Sequence, residues 1–234
     1  MLFETFPDGG VLVHDDWSTN MKIRTSVDIT PEQWRSAKDA AIHNFLIRFI
    51  AGKNESGGFI FEEHAIHFLC DVAGTETVAS ALNFDNVVKY ILDNAKYKVK
   101  TILRWTDGTS KQFKNNGTFG KEKLIAINFD ITIVHNFFIT NWGKGKIDLL
   151  GGIVHHIYSQ IVRDLLERSN DLKLVCDYAN SKYSSPGSTR AESSLTRRQF
   201  FYVSKDENDA AKSSRTTWHT LTFPDGVPLF SDEI

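Results

Sequence analysis

Two long segments rich in β-branched and aromatic residues, AIHNFLIRFIAG (residues 41–52) and EEHAIHFLCDVAG (62–74), stand on either side of the turn cluster KNESGG (53–58). Segments of this composition fit a pleated, half-buried surface. The Asn, Ser and Gly residues between them mark a chain reversal. A third apolar segment, VLVHDDW (11–17), precedes both. Together the three predict an antiparallel meander.

The chain after residue 74 breaks that pattern. FDNVVKYILDNAK (84–96) places Val87, Val88, Ile91 and Leu92 on one helical face. KVKTILRWTDG (98–108) and DITIVHNFFIT (130–140) read as a fourth and fifth strand. In the fourth, the period of two puts Val99, Leu103, Trp105 and Asp107 on one side. A glycine-rich connector, NWGKGKIDLLGG, leads into a long helix ending near Arg168, with an apolar stripe of Val154, Ile157, Tyr158, Ile161 and Leu165. LKLVCDYA (172–179) suits a strand or a short helix. Residues 182–198 are polar, Ser-rich and basic and read as a mobile loop. QFFYVS (199–204) reads as a late strand, and the tail after Lys205 as peripheral. A helix between strands requires a parallel crossover, so the class is mixed α/β. A Rossmann-type fold would need glycines after the first strand; DDWSTN stands there instead. The expected division is a core over residues 1–180 and, over 181–234, a basic loop, a late strand and a polar tail.

Composition narrows the function classes. The 234 residues carry a formal net charge of −2, unlike the strongly basic balance of a dedicated DNA-binding module. A catalytic domain with an acidic metal cluster is compatible with it. Cys70 and Cys176 are too few for a disulfide framework or a cysteine-rich zinc site. Their apolar contexts predict buried free thiols and a reducing compartment, nuclear or cytoplasmic. No apolar run reaches the ~20 residues of a membrane span, and MLFETFPDGG lacks the regions of a signal peptide.

Three acids stand at element ends. Asp16 closes the first strand; its neighbour Asp15 points to the other face. Asp107 closes the fourth strand ahead of Gly108 and a polar loop holding Ser110, Lys111, Gln112 and Lys114. Asp148 opens the long helix between Lys144 and Lys146, followed by Gly151 and Gly152. The two glycines each weaken a helix by roughly 1 kcal/mol relative to Ala, which predicts close packing against a strand or a strained entry to the helix. Singly, each acid suits a turn or a helix N-terminus. Gathered, three carboxylates repel one another and call for cations. Mg²⁺ and Mn²⁺ take such oxygen ligands, and two of them roughly 3.5–4 Å apart support phosphodiester chemistry.

The blocks HDDWSTN, RWTDGTSKQFK and NFFITNWGKGKIDLLGG, in that order, resemble those of transposon-derived proteins with an RNase H-like fold of the DDE transposase and integrase type. In that group the blocks read like H-x-D-[FW]-S-E-N, S-D-G-x-x-x-Q-F-K and N-F-F-A-T-x-H-G-K-G-x-x-D-G-x-G-G. The resemblance covers residues 11–168, and YVSK (202–205) is also similar. It implies a five-stranded mixed sheet, three strands antiparallel and then two parallel, with helices on both faces. It also implies a DNA-cutting or DNA-joining activity that uses two Mg²⁺ or Mn²⁺ ions held by Asp16, Asp107 and Asp148. The partners it implies are DNA and further copies of the chain in a homo-oligomer, with no membrane. Asp15 falls where the group has an apolar residue and receives no role. Thr19, Trp142 and Leu149 replace the group's Glu, His and Gly. The Trp142 replacement opens a second reading, an inactive transposon-derived module that binds nucleic acid or protein. An RNase H-like exonuclease or resolvase is a third.

Lys111, Lys114, Lys144 and Lys146 are candidates for contacting phosphates, with Gln112 and His155 as accessories. His155 lies near Asp148 on a helical wheel. His64 and His67, three apart, face opposite sides of a strand. Arg190, Arg197 and Arg198 fall in or beside the basic loop. Trp34, Trp105 and Trp218 read as packing residues.

Overall fold

A hairpin organises the sheet. β2 (Asp39–Lys53) and β3 (Phe59–Cys70) pair antiparallel along nearly their whole length. Asn54 makes the reversal: its side-chain oxygen accepts the Gly58 N–H at 2.7 Å, and Gly57 sits at φ +84°, which glycine adopts without strain. The computed structural model describes residues 6–24, 30–71, 77–110, 112–138, 145–165, 170–185 and 195–218.

β1 (Gly10–Lys22) pairs antiparallel with β2 on the side away from β3, with a register irregularity between Ser18 and Met21. β4 (Thr101–Thr106) runs parallel to β1, and β5 (Thr132–Phe137) parallel to β4. β6 (Leu195–Val203) runs parallel to β3. The order is β5-β4-β1-β2-β3-β6. The class is therefore mixed α/β, as expected, but six strands are paired in the sheet among the described residues, where five were expected. The late strand starts at Leu195 and not at Gln199, so it is a full member of the sheet.

Helices cover both faces, which is why residues 40–47 of β2 are buried without interruption. On one face lie α2 (Thr77–Asn94), α3 (Asn116–Phe129) and α6 (Lys205–Trp218). Phe84, Val87, Val88 and Ile91 of α2 pack there on Val11, Val13, Phe45, Ile47 and Phe68. On the other lie α4 (Lys146–Leu165) and α5 (Leu172–Tyr183), whose Val154, Ile157, Tyr158, Ile161, Leu172 and Val175 pack on Ile42, Leu69 and Phe200. α1 (Pro31–Ser36) links β1 to β2, and its Trp34 is exposed rather than packed. Cys70 and Cys176 are free and buried. No described helix is long and apolar enough to cross a membrane.

Three helices, α1, α3 and α6, are absent from the sequence reading. α3 carries Phe119, Leu124, Ile125, Ile127 and Phe129 around its whole circumference, so no apolar stripe announces it. It forms because Asn115 caps its start, accepting the Thr118 N–H at 3.0 Å, and Asp130 ends it in the left-handed conformation at φ 53°. α6 lies within the expected polar tail. Ser204 and Glu207 cap it reciprocally: the Ser204 hydroxyl accepts the Glu207 N–H at 3.2 Å, and the Glu207 carboxylate accepts the Ser204 N–H at 2.7 Å. α6 packs on α2 and α3, so residues 195–218 are joined to the core. LKLVCDYA is helical, within α5, where the Asp171 side chain accepts the Leu174 N–H at 3.1 Å.

The outer edge of β6 is engaged by the protein itself. The Asn180 side chain of α5 donates to the Phe200 carbonyl and accepts from the Phe200 N–H, both at 2.8 Å, and Arg198 N–H donates to the Ser184 carbonyl at 3.0 Å.

Candidate active site

Strand alternation sends the paired acids of β1 to opposite layers. Asp16 faces α4, and its carboxylate accepts the Trp17 N–H at 2.9 Å. β1 and β4 pair from Gly10–Thr101 to His14–Trp105, an offset of 101 − 10 = 91 residues. The same offset leads from Asp16 to Asp107, since 107 − 16 = 91. Just past the end of β4, Asp107 accepts hydrogen bonds from the Thr109 N–H at 3.1 Å and from the Thr109 hydroxyl. Asp148 lies in the first turn of α4 and accepts the Gly145 N–H at 2.7 Å.

Gly151 sets how closely α4 approaches. A Cβ there would collide with the Ser18 hydroxyl and stand 3.3 Å from Asn44 Nδ2. The close packing expected of Gly151 is thus present; Gly152 faces open space. Ser18 and Asn44 are joined at 2.6 Å, and Asn44 Oδ1 meets His67 Nδ1 at 2.7 Å. His67 Nε2 is buried with no hydrogen-bond partner among the described residues. Burial, aided by the Arg198 charge, pushes the His67 pKa down to about 3.

Asp16 feels the other two acids. Burial first, and then the negative charges of Asp107 and Asp148, raise the Asp16 pKa to about 7. Burial lowers His14, on the same face of β1, to about 4, against the opposing pull of Asp15 and Asp148. Among the described residues, however, no three His, Cys, Asp or Glu side chains are gathered as a ready-made ligand set for one ion.

The remaining expected residues divide. Lys111, Lys144, Trp142 and Arg190 lie outside the described residues. Lys146 is ion-paired with Glu63, which also accepts from Arg48 Nε at 2.6 Å. Lys114 is exposed, its ammonium 5.8 Å from the centre of the Phe137 ring. Gln112 holds the loop through its backbone, accepting from the Thr118 hydroxyl at 3.1 Å. His155 shares the Asp148 side of α4 but sits seven residues on, about 10 Å along the axis at ~1.5 Å per residue. That height separates it from the acids, so the closeness expected from the wheel is not there. His64 and His67 do face opposite layers: His64 Nδ1 meets the Tyr90 hydroxyl at 2.9 Å on the α2 side.

On the opposite face of β1 lies a buried polar chain that the sequence reading missed. Asp15 receives Arg104 Nε at 2.9 Å and Nη2 at 2.6 Å, and meets His43 Nε2 at 3.0 Å. Arg104 Nη1 continues to Glu122 at 2.7 Å, and its guanidinium lies 4.0 Å from the centre of the Phe84 ring. Glu122 meets His135 Nδ1 at 2.9 Å, and His135 Nε2 meets the Thr106 hydroxyl at 2.9 Å. Burial acts to raise the Asp15 pKa, but Arg104 and His43 outweigh it and hold the carboxyl well below the usual range. Glu122, His135 and Thr106 have the connectivity of an acid–base–nucleophile set. Thr106 is 0% exposed, so no substrate reaches its hydroxyl. The chain instead fixes the end of β4, one residue before Asp107. The available signal was an arginine between Ile102 and Thr106 on the buried side of a strand, which demands a buried acid.

Beside the acids, a cleft of about 170 Å³ is lined by Phe6, by Leu12 and His14 of β1, Leu103 and Trp105 of β4, Arg48 of β2, and Phe138. Leu103, Trp105 and Asp107 thus share a face, as alternation required; Val99, ahead of β4, packs on the opposite side with α2. Trp105 is half-buried and opens on this cleft.

Over residues 2–221 the chain matches the family described as Domain of unknown function (DUF8701), and it belongs to that family. No curated protein and no solved structure matches it.

Proposed function

We propose that the chain is a metal-dependent polynucleotidyl transferase or endonuclease of the DDE transposase type on an RNase H-like fold, cutting or joining DNA phosphodiesters. The observation that carries this is the state of Asp16. Its carboxyl is raised to about 7 by burial and by two further acids, Asp107 and Asp148, that come from the end of a neighbouring strand and the first turn of a helix. A set of carboxylates that destabilise one another's charge is the setting that divalent cations relieve. The strand order β5-β4-β1-β2-β3, with β1 to β3 antiparallel and β4 and β5 parallel to β1, supports the RNase H-like reading.

The donor set is all oxygen, which suits Mg²⁺ or Mn²⁺. Asp16 would be the anchored ligand, on a strand flanked on both sides; Asp107 and Asp148 would complete the set. Bound ions would supply activation of the attacking oxygen and neutralisation of charge at the leaving oxygen. The protein's own contribution is placement. The buried chain ending at Thr106 fixes where Asp107 begins, Gly151 seats α4 against β1, and the Gly145 N–H orients Asp148. Water or a 3′-hydroxyl is the nucleophile, attacking the phosphorus in line with the departing oxygen.

A second reading, an inactive transposon-derived module that binds nucleic acid or protein, is favoured by Trp142, which stands where the resembling group has His. Two measurements separate the readings. Mg²⁺- or Mn²⁺-dependent nicking or strand transfer that Asp107→Asn abolishes supports the enzyme, and cleavage retained in that variant overturns the assignment. No calorimetric binding of Mn²⁺ at millimolar concentration supports the inactive module.

A further inference from the structure

The cleft beside the acids lies in line with them. The register pairs His14 with Trp105, the last pair of β1 with β4, and carrying the same offset two residues further leads to Asp16 and Asp107, just past the end of β4. Two residues along a strand span about 6.6 Å at ~3.3 Å per residue. A group bound over the His14–Trp105 pair therefore sits roughly one sugar's length from a phosphate at the acids.

One wall of the cleft is aromatic, its rings in contact with one another, so a flat ring would lie against this wall and not between its members. Trp105 and Phe138 have ring centres 5.0 Å apart, and His14 and Phe138 4.7 Å. Leu12 and Leu103 form the apolar floor. Arg48, oriented by Glu63 at 2.6 Å, places hydrogen-bond donors at the rim, and base edges carry matching acceptors. The volume of about 170 Å³ is well below the roughly 300–1,000 Å³ of pockets for drug-sized molecules. It has room for one ring system, not for a whole nucleotide.

We propose that this cleft receives one unstacked nucleobase of the strand whose phosphodiester lies at Asp16 and Asp107, with Trp105 as the stacking surface. The inference rests on the reading of the acids as a phosphodiester site, and it specifies the substrate: nucleic acid that is single-stranded or locally unpaired next to the reacting phosphate. Pulling a base from a duplex costs a few kcal/mol, so an already unpaired strand is preferred.

The test uses the full chain and two single-stranded 12-mers of equal charge, oligo(dT) and an all-abasic strand, with binding followed by fluorescence anisotropy. The expected result is oligo(dT) binding about fivefold to a hundredfold tighter, the range that base–aromatic stacking produces. Trp105→Ala reduces oligo(dT) binding to the abasic level and leaves the abasic affinity unchanged, whereas Trp105→Phe, which keeps a ring, retains a preference for bases. Equal affinity of the wild type for the two strands overturns the proposal, as does an equal loss for both strands in Trp105→Ala. Mn²⁺ binding, measured without nucleic acid, reads the acids separately. A base preference without Mn²⁺ binding sinks the enzymatic reading and leaves the base site standing; Mn²⁺ binding without a base preference does the reverse.

Discussion

Asp15 and Asp16 are adjacent in the chain and opposite in physics. Both leave water, and burial alone would raise both. Asp15 meets Arg104 in a two-point contact, with His43 completing its shell, and its carboxyl is held far below the usual range. Asp16 meets one backbone N–H and two other acids, and its carboxyl is driven up to about 7. On one side of β1 the carboxylate is balanced by positive charge; on the other, like charges add to burial. A carboxyl held low and one driven up are thus told apart by the sign of what surrounds the carboxylate, not by its burial.

The sharpest way to break this contrast is Asp15→Asn. It leaves Arg104 buried with half its partners, and removing one member of such a pair costs about 3–5 kcal/mol. Chemical denaturation should show that loss; a change below ~1 kcal/mol would mean that the Asp15 face is not the tightly paired one. Asp16→Asn should do the opposite in the absence of divalent ions. Asp16 has an ordinary carboxyl value of 3.8 and a folded value of about 7, so between these values the folded state binds more protons. The Asp16 contribution to stability is then lost as pH rises from about 4 through 7, by up to ~4 kcal/mol at about 1.4 kcal/mol per pH unit. Buried His14 and His67, lowered to about 4 and 3, raise the stability of both proteins over part of that range, so the readout is the difference: in chelator, melting scans should agree for wild type and variant near pH 4 and show the variant the more stable by pH 8. An Asp16→Asn protein less stable than the wild type at pH 8 would contradict the charge-repulsion account. The smallest effect concerns the seating of the Asp16 face. Gly151→Ala forces α4 away from Ser18 and should cost about 1–3 kcal/mol, the usual range for overpacking. Gly152→Ala, at a position facing open space, is its control and should be neutral or slightly stabilising.

Much of this arrangement was legible from periodicity. The meander, the position of α4 and the opposed directions of Asp15 and Asp16 all follow from periods of 2 and 3.6. The misses have local causes. α3 has apolar residues all around it, so a stripe search passes over it, although Asn115 and Asp130 mark its ends. α6 is polar because it lies on the outside of α2 and α3, and only the Ser204–Glu207 box betrays it. His155 was placed by angle alone, and a wheel carries no height. Asp15 received no role because its partner Arg104 is 89 residues away, beyond any local pattern. The acids themselves were found from the three blocks together, each being ordinary alone.

The grip of Asn180 on Phe200 bears on how this protein meets other chains. A sheet grows by offering the free N–H and C=O groups of its outermost strand to a newcomer. At β6 those of Phe200 are already taken by a side chain that imitates a neighbouring backbone, and the Arg198 N–H is taken by Ser184. An added strand is refused there, and among the described residues the margin left to accept one is that of β5, the strand next to the one that leads into Asp107. Self-association by strand addition would accordingly begin on the flank nearest the acids and leave the β6 flank a closed border.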